Sequence, residues 1–307
     1  MLKTAIITDK LGTYEAKCTT KIAKEAVARG HKVYETLASD ISHVEGKLTA
    51  KARIYDGSEA EAPQIEEHID LAKMDVIHLR TNPPIDMTYI SMLYLLERIK
   101  DKVLIVNNPE AIIRLPEKIF PLQFPGFTPA TLITKDIEEI RKFIAKHKEI
   151  ILKPLYEYGG NGIKKVKLAE FEAEQDFINN WLTESKLPLI AQPFLNVIDK
   201  GDKRIFFIGG EVAGAFLRRP PEGSYVANIS KGGSITKTTL TTREKEFAKI
   251  LGPILKKNGI YICGIDVIDD FVTEINITSS VGFSQMEELY NEKPQIKLWD
   301  IIENEIA

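Results

Sequence analysis

The sequence predicts an α/β chain built in two styles: an open, parallel-stranded α/β domain at the amino end, then an α+β half based on antiparallel sheets. Three observations carry this prediction. The opening alternates short apolar strands with amphipathic helices, a proline-rich stretch interrupts that pattern near residue 110, and beyond it strands come in pairs across turn residues. At 307 residues the chain also exceeds what one core usually fills, so two or three packed modules with a cleft between them are expected.

Residues 3–8 form a short apolar run that reads as a buried strand. Glu15 to Arg29 carry Cys18, Ile22, Ala26 and Val27 at helical spacing before Gly30 stops the helix, and His31 to Leu37 reads as the next strand. Strand, helix, strand predicts parallel pairing. Asp75 to Arg80 and Lys102 to Val106 supply two further strands, with a helix from Asp86 to Ile99 between them. Five prolines between Pro109 and Pro129 mark a connection. Strand 131–134, helix Asp136 to His147, strand 150–153, a glycine loop and strand 164–168 follow. Arg204 to Ile208 and Glu211 to Leu217 flank Gly209-Gly210, and Ile262 to Ile268 and Phe271 to Ile277 flank Asp269-Asp270, two hairpin signatures. Between these hairpins a helix from Thr241 to Lys257 places Phe247, Ile250, Leu251, Ile254 and Leu255 on one face. Domains are expected at 1–118, 119–190 and 191–307.

Composition excludes several classes of function. With 41 basic and 44 acidic residues in no long block of one sign, a nucleic-acid arm has no support. No run approaches the roughly 18 to 20 apolar residues of a membrane span, and the amino terminus lacks a signal-peptide core, so a cytoplasmic protein is expected. Cys18 and Cys263 lie far apart without CxxC spacing, and the five histidines never fall three or four apart. Disulfide, zinc-ribbon and zincin chemistry are therefore excluded. No GxGxxG follows the first strand and no GxxxxGK[ST] occurs.

Three features carry chemistry. ILKPLYEYGGNGI (151–163) sets Lys153 at the end of an apolar strand before a loop with three glycines. Such a loop can lay backbone N–H groups over phosphates while the lysine supplies fixed charge, although a flexible hairpin would look the same. IDVIDDFVTEIN (265–276) places Asp266, Glu274 and Asn276 within β-branched strands, where carboxylates need a positive counterpart. Oxygen ligands on two adjacent strands suit Mg²⁺ bridging ATP phosphates, while Asp269 and Asp270 read as turn residues. The third feature is an ordered cationic set: Lys118, Lys153, Arg204 and Arg218.

That order resembles the ATP-grasp ligases, and the wording resembles bacterial glutathione synthetases along nearly the whole chain. The matching stretches are RTNPP (80–84), YLLER (94–98), LIVNNPEAI (104–112), EKIF (117–120), ILKPL with YGGNGI, AQPFL (191–195), KGDKRI (200–205), and GIDVI with TEINITS (273–279). The resemblance implies a ligase that joins γ-glutamylcysteine to glycine through an acyl phosphate at the expense of ATP; another carboxylate–amine ligase of the superfamily is the alternative. It implies that Lys118 and Lys153 meet the phosphates under the loop Gly159, Gly160, Asn161, Gly162. Gln192, Pro193, Phe194 and Leu195 would read adenine, and Asp202 would approach the ribose. Arg204 and Arg218 would be catalytic, and Asp266, Glu274 and Asn276 would hold two Mg²⁺ (or Mn²⁺). Arg80, Ser279 and Ser280 are implied to contact substrate, and a homodimer or homotetramer is implied. The chain departs from that pattern at Val226, at Ser279-Ser280-Val281 and at Thr8-Asp9-Lys10.

Geometry adds one expectation. Paired residues of an antiparallel hairpin share a face, so Asp266 can oppose Glu274 only across a loop of odd length or a bulge with that effect, with Ile265, Val267 and Ile275 turned into the core. Without metal, the two facing carboxylates are expected to repel.

Overall fold

A computed structural model describes residues 1–11, 17–58, 66–195 and 197–307. Its amino-terminal elements are β1 (Lys3–Thr8), α1 (Lys17–Ala28), β2 (Lys32–Val44), β3 (Lys47–Tyr55), β4 (Glu66–Asp70), β5 (Val76–Leu79), α2 (Met87–Glu97), β6 (Leu104–Val106) and α3 (Pro109–Arg114). The expected helix start at Glu15 lies outside the described residues. Asp86 caps α2 by accepting from the Tyr89 N–H at 2.8 Å, and Asn108 caps α3 with Pro109 in the first turn. The proline-rich connection thus contains a helix.

The six strands form one sheet in the order β4-β3-β2-β1-β5-β6. β2, β1, β5 and β6 run parallel as expected, but β3 and β4 add an antiparallel edge, so the sheet is mixed rather than wholly parallel. The added hairpin turns at Glu45-Gly46, both at positive φ, and buries Leu48, Ala50 and Ala52 on alternate positions. Lysine and arginine between these small residues mask the alternation in the sequence.

The remaining elements are β7 (Leu132–Thr134), α4 (Ile137–His147), β8 (Glu149–Pro154), β9 (Lys164–Lys167), α5 (Phe171–Ser185), β10 (Leu189–Pro193), α6 (Val197–Lys200), β11 (Asp202–Ile208), β12 (Glu211–Arg219), β13 (Ser234–Lys237), α7 (Thr242–Lys257), β14 (Ile262–Ile268), β15 (Phe271–Asn276), α8 (Phe283–Tyr290) and α9 (Pro294–Ile306). They make a four-stranded sheet, β7-β10-β8-β9, and a five-stranded sheet, β13-β12-β11-β14-β15, both antiparallel. β10 sits between β7 and β8, so the smaller sheet runs to Pro193, past the division expected at 190. Thr241 and Glu244 close a capping box at the start of α7. Phe247, Leu251 and Leu255 on that helix are buried, whereas Ile250 is 46% exposed. The apolar stripe is centred near Leu251, and 100° steps leave Ile250 at its margin.

The cores divide unevenly. One cluster runs from Ile77, Leu79 and Leu93 of the first sheet into Phe207, Leu251 and Ile265 of the last, joining these two layers in one apolar interior. A separate cluster, including Ile144, Leu152, Ile178 and Leu189, lies under the four-stranded sheet. Asn107 ties the first two layers together: its Nδ2 donates to the carbonyls of Ile262 (2.7 Å) and Ile277 (2.6 Å), and its Oδ1 accepts from Tyr261 N (2.8 Å) and Ile262 N (3.0 Å). Both donors and both lone pairs of the amide are used.

Candidate active site

Strand register builds the charged face of the five-stranded sheet. Asp202 lies opposite Arg218, Arg204 opposite Asp266, and Asp266 opposite Glu274. Alternate residues of β11 share a face, so Asp202 and Arg204 point the same way, and each meets an opposite charge on the neighbouring strand. The β14–β15 turn is the two-residue Asp269-Asp270, with φ of 49° and 67°, and a bulge beside Val267 shifts the register by one. The bulge therefore brings Asp266 and Glu274 face to face, while Ile265, Val267 and Ile275 are buried on the other side. Asn276 follows two residues on, opposite Gly264.

Cations of the protein face both carboxylates. Arg204 holds Asp266 through Nε to Oδ1 (2.6 Å) and Nη2 to Oδ2 (3.1 Å). Arg218 Nη2 reaches Asp202 Oδ2 at 2.7 Å and Asp266 Oδ1 at 2.8 Å, and Lys153 Nζ lies 3.7 Å from Glu274. Burial alone would raise the Asp266 carboxyl, but Arg204 and Arg218 outweigh it and hold it at about 2. Burial likewise opposes the charge on Arg218, yet Asp202 and Asp266 drive its pKa upward. For Asp202, burial outweighs Arg218 and moves the carboxyl upward. Gly264 makes room for this network: a Cβ there would fall 2.8 Å from both Cδ and Nη1 of Arg204.

A cavity of about 310 Å³ lies between this face and the four-stranded sheet. From the smaller sheet it is lined by Lys153, Gly159, Gly160, Gln192 and Pro193, with Phe194 and Leu195 just beyond; from the larger by Asp202, Arg204, Arg218, Asp266, Glu274 and Asn276; and at one end by Ser279 and Ser280. Four expected residues are not on its wall. Lys118 lies behind it and donates to the Glu157 carbonyl of the glycine loop. Asn161 turns the loop by donating its N–H to Tyr158 O (3.1 Å), and Gly162 packs where a Cβ would strike Pro154. Arg80 is buried behind Ser280, with Nε to Thr19 Oγ1 and Nη2 to Ser280 O, both at 3.2 Å, and Nη1 without a hydrogen-bond partner among the described residues. Cys18 and Cys263 are buried free thiols.

Asp266, Glu274 and the Asn276 side chain converge, with Asn276 Nδ2 3.1 Å from Asp266 Oδ2. No cluster of three or more His, Cys, Asp or Glu suited to a metal occurs among the described residues. Two carboxylates and an amide therefore fit Mg²⁺ that arrives with nucleotide phosphates, rather than a cage made by the protein alone.

The sequence reasoning missed Glu117, Asn82 and Tyr225. Glu117 Oε1 accepts from Ile277 N (2.8 Å), Thr278 N (2.9 Å) and Thr278 Oγ1 (2.8 Å); its adjacency to Lys118 in EKIF was the available signal. Asn82 links two of the departing segments, donating to Asp9 Oδ2 from N (2.8 Å) and Nδ2 (2.9 Å) and accepting from Ser279 Oγ. Tyr225 Oη lies 3.3 Å from Lys165 N, and Val226 packs on Gly160, where a Cβ would fall 2.5 Å from Val226 Cγ1. The third departure thus touches the glycine loop.

Two family models match the chain: the prokaryotic glutathione synthetase N-terminal domain over residues 2–113, and the prokaryotic glutathione synthetase ATP-grasp domain over residues 117–291. The glutathione synthetase of Agrobacterium fabrum is 39% identical over 291 residues, covering 93% of this chain and 90% of that one. That of Brucella melitensis is 37% identical over 309 residues, 98% of both chains. This chain belongs to the prokaryotic glutathione synthetase family. Among solved structures, D-cycloserine synthetase DcsG superposes with a TM-score of 0.72 at 13% identity, covering 99% of this chain and 100% of that one. The ATP-grasp ligase PsnB, complexed with a phosphomimetic variant of minimal precursor, Mg and ADP, gives 0.67 at 19% over the whole of both chains. At such identities the likeness is one of fold, and the fold is ATP-grasp. In the terms of the glutathione synthetase family, the first matched domain supplies Asn82 of the wall and Arg80 behind it, and the second supplies every other residue of the cavity named above.

Proposed function

We propose that this chain is an ATP-dependent ligase that joins the cysteinyl carboxylate of γ-glutamylcysteine to glycine, releasing ADP and phosphate, in the cytoplasm. The observation that carries this reading is the convergence on one cavity of Lys153 and the glycine loop from one sheet and the Arg218–Asp202, Arg204–Asp266–Glu274 face from another. A carboxylate is a poor electrophile and must be activated, and transfer of the ATP γ-phosphoryl group to it supplies an acyl phosphate. Lys153, with Lys118 behind it, holds the phosphates beneath the glycine loop. The backbone of Gln192 to Leu195 receives the base, with Asp202 toward the ribose. Asp266, Glu274 and Asn276 hold Mg²⁺, which offsets phosphate charge when bound. Arg204 and Arg218 stabilise the oxygen charge that builds during phosphoryl transfer and amine attack. An acyl phosphate hydrolyses in water, and the contacts of Tyr225 with Lys165 of β9 and of Val226 with Gly160 support the four-stranded layer as a lid that excludes it.

A second reading, a carboxylate–amine ligase with another acceptor, is favoured by Val226, Ser279, Ser280 and Val281, which all line the cavity. Phosphate release from ATP and Mg²⁺ with a panel of acids and amines separates the two. Turnover only with γ-glutamylcysteine and glycine supports the first, turnover with another pair supports the second, and none with any pair sinks both. A homo-oligomer is part of the proposal: the outer face of α2 leaves Met87 71% and Tyr94 52% exposed beside Thr88 and Ser91. Light scattering at the mass of one 34.6 kDa chain would refute it.

A further inference from the structure

Five carboxylates line the cavity: Glu117, Glu157, Asp202, Asp266 and Glu274. The last three face an arginine or lysine of the protein. Among the described residues neither Glu117 nor Glu157 forms an ion pair, although the charge of the adjacent Lys118 acts on Glu117. The two differ in how they are held. Glu157 rides on the glycine loop with no side-chain hydrogen bond among the described residues, whereas Glu117 is locked by three donors, all on Oε1. The backbone is pinned as well, since Glu117 O accepts from Ile275 N at 3.0 Å. A carboxylate fixed through one oxygen leaves the other to interact with what enters the cavity. Thr278, which donates to it, lines the wall as well, with Ser279 and its partner Asn82 next in line.

Burial works against the charge of Glu117 and Lys118 only partly offsets it, so a cation on the free oxygen would complete the carboxylate. A metal is a poor candidate here, because Asp266, Glu274 and Asn276 already form the oxygen set that suits one. The remaining cations of the proposed reaction are organic: both γ-glutamylcysteine and glycine carry a primary ammonium. We infer that Glu117 is a substrate-binding residue whose carboxylate receives a primary ammonium of an amino-acid substrate, while its Oε1 anchors the Ile277–Thr278 backbone. This inference rests on the ligase reading above. Glu117 would then couple the segment leaving the metal strand to the substrate.

Glu117→Gln separates the two roles, because a glutamine oxygen can accept the same three hydrogen bonds while the charge is lost. Phosphate release by wild type with both substrates tests the ligase reading; the ratio of variant to wild-type constants tests Glu117. The expected result is a KM raised roughly tenfold or more for one ammonium-bearing substrate, with the Kd of Mg²⁺·ATP and the Tm unchanged. The substrate whose KM moves identifies the ammonium. Unchanged KM for both, or a loss of ATP affinity in step with KM, overturns the inference and leaves Glu117 a loop anchor. A measurement on wild type guards against a variant that does not fold: analogues with hydroxyl in place of ammonium, glycolate for glycine and the corresponding α-hydroxy dipeptide, compete in the assay. At least one is expected to bind tenfold or more weakly than its parent, and equal affinity for both pairs overturns the inference.

Discussion

On the five-stranded sheet Asp202, Asp266 and Glu274 each meet a cation on an adjacent strand or on the facing sheet, whereas in the six-stranded sheet His78 of β5 and Arg80 just after it are as deeply buried and meet no carboxylate among the described residues. The outcomes differ accordingly. Asp266, held by two arginines, stays at about 2 despite burial, whereas burial moves Asp202, paired with Arg218 alone, upward. His78 packs against Trp299, ring centroids 5.2 Å apart, with neither nitrogen bonded among the described residues, and burial, reinforced by Arg80, pushes its imidazole down to about 3. Burial also lowers the Arg80 guanidinium. Depth alone therefore does not decide whether a group keeps its charge; the number of cations that strand register sets against it weighs as much.

The largest test of this contrast is Arg218→Ala. It leaves Asp202 without its cation and Asp266 with one, so a loss of about 3 kcal/mol of stability is expected. A fall in kcat of roughly a hundredfold or more should accompany it. Urea unfolding and phosphate release check both, and a stability change within about 0.5 kcal/mol would break the contrast. His78 tests the unpaired side. Its folded pKa lies below the unfolded value near 6.5, so the stability from a neutral imidazole is present above pH 6.5 and lost as pH falls toward 3. About 2 kcal/mol should disappear between pH 7 and pH 5 from this residue alone. Urea midpoints at the two pH values should differ less in His78→Leu than in wild type; identical differences would refute a neutral buried imidazole.

Lys153→Ala should act on binding rather than turnover. Calorimetry should show ATP affinity reduced about tenfold, or about 1.4 kcal/mol, with kcat far less affected than in Arg218→Ala. Equal effects of both variants on both constants would erase the distinction between phosphate holder and charge stabiliser. The smallest effect is expected at the turn that supports the Asp266–Glu274 pairing. Asp270 sits at a φ of 67°, so Asp270→Gly should raise stability by about 0.5 kcal/mol with activity unchanged. Destabilisation would mean that the Asp270 side chain contributes more than its backbone strain costs.

Much of this was legible in the sequence where local chemistry agrees with tertiary structure. Gly209-Gly210 and Asp269-Asp270 were read as turns, and all four residues take positive φ. The Asp266–Glu274 pairing followed from parity, because a metal-binding face leaves one register. What the sequence concealed depends on distant partners. Arg204 and Arg218 neutralise Asp266 only because β11 lies between β12 and β14, an order that no local pattern encodes. β3 and β4 were missed because alanine and lysine carry a weak strand signal. Glu117 was passed over because its three donors lie some 160 positions away in the chain.

The four hydrogen bonds of Asn107 bear on where the molecule can bend. The family's two domains meet between residues 113 and 117, yet just before that point a single amide rivets the first sheet to the third, and one apolar interior continues beneath both. Opening the structure there would sever all four bonds and split that interior. The four-stranded layer, with its own separate core, can be displaced without either loss. The mechanical seam thus surrounds the four-stranded sheet, with Lys153 and the glycine loop on one bank and Arg204, Arg218 and Asp266 on the other. Whatever fills the cavity is gripped across that seam.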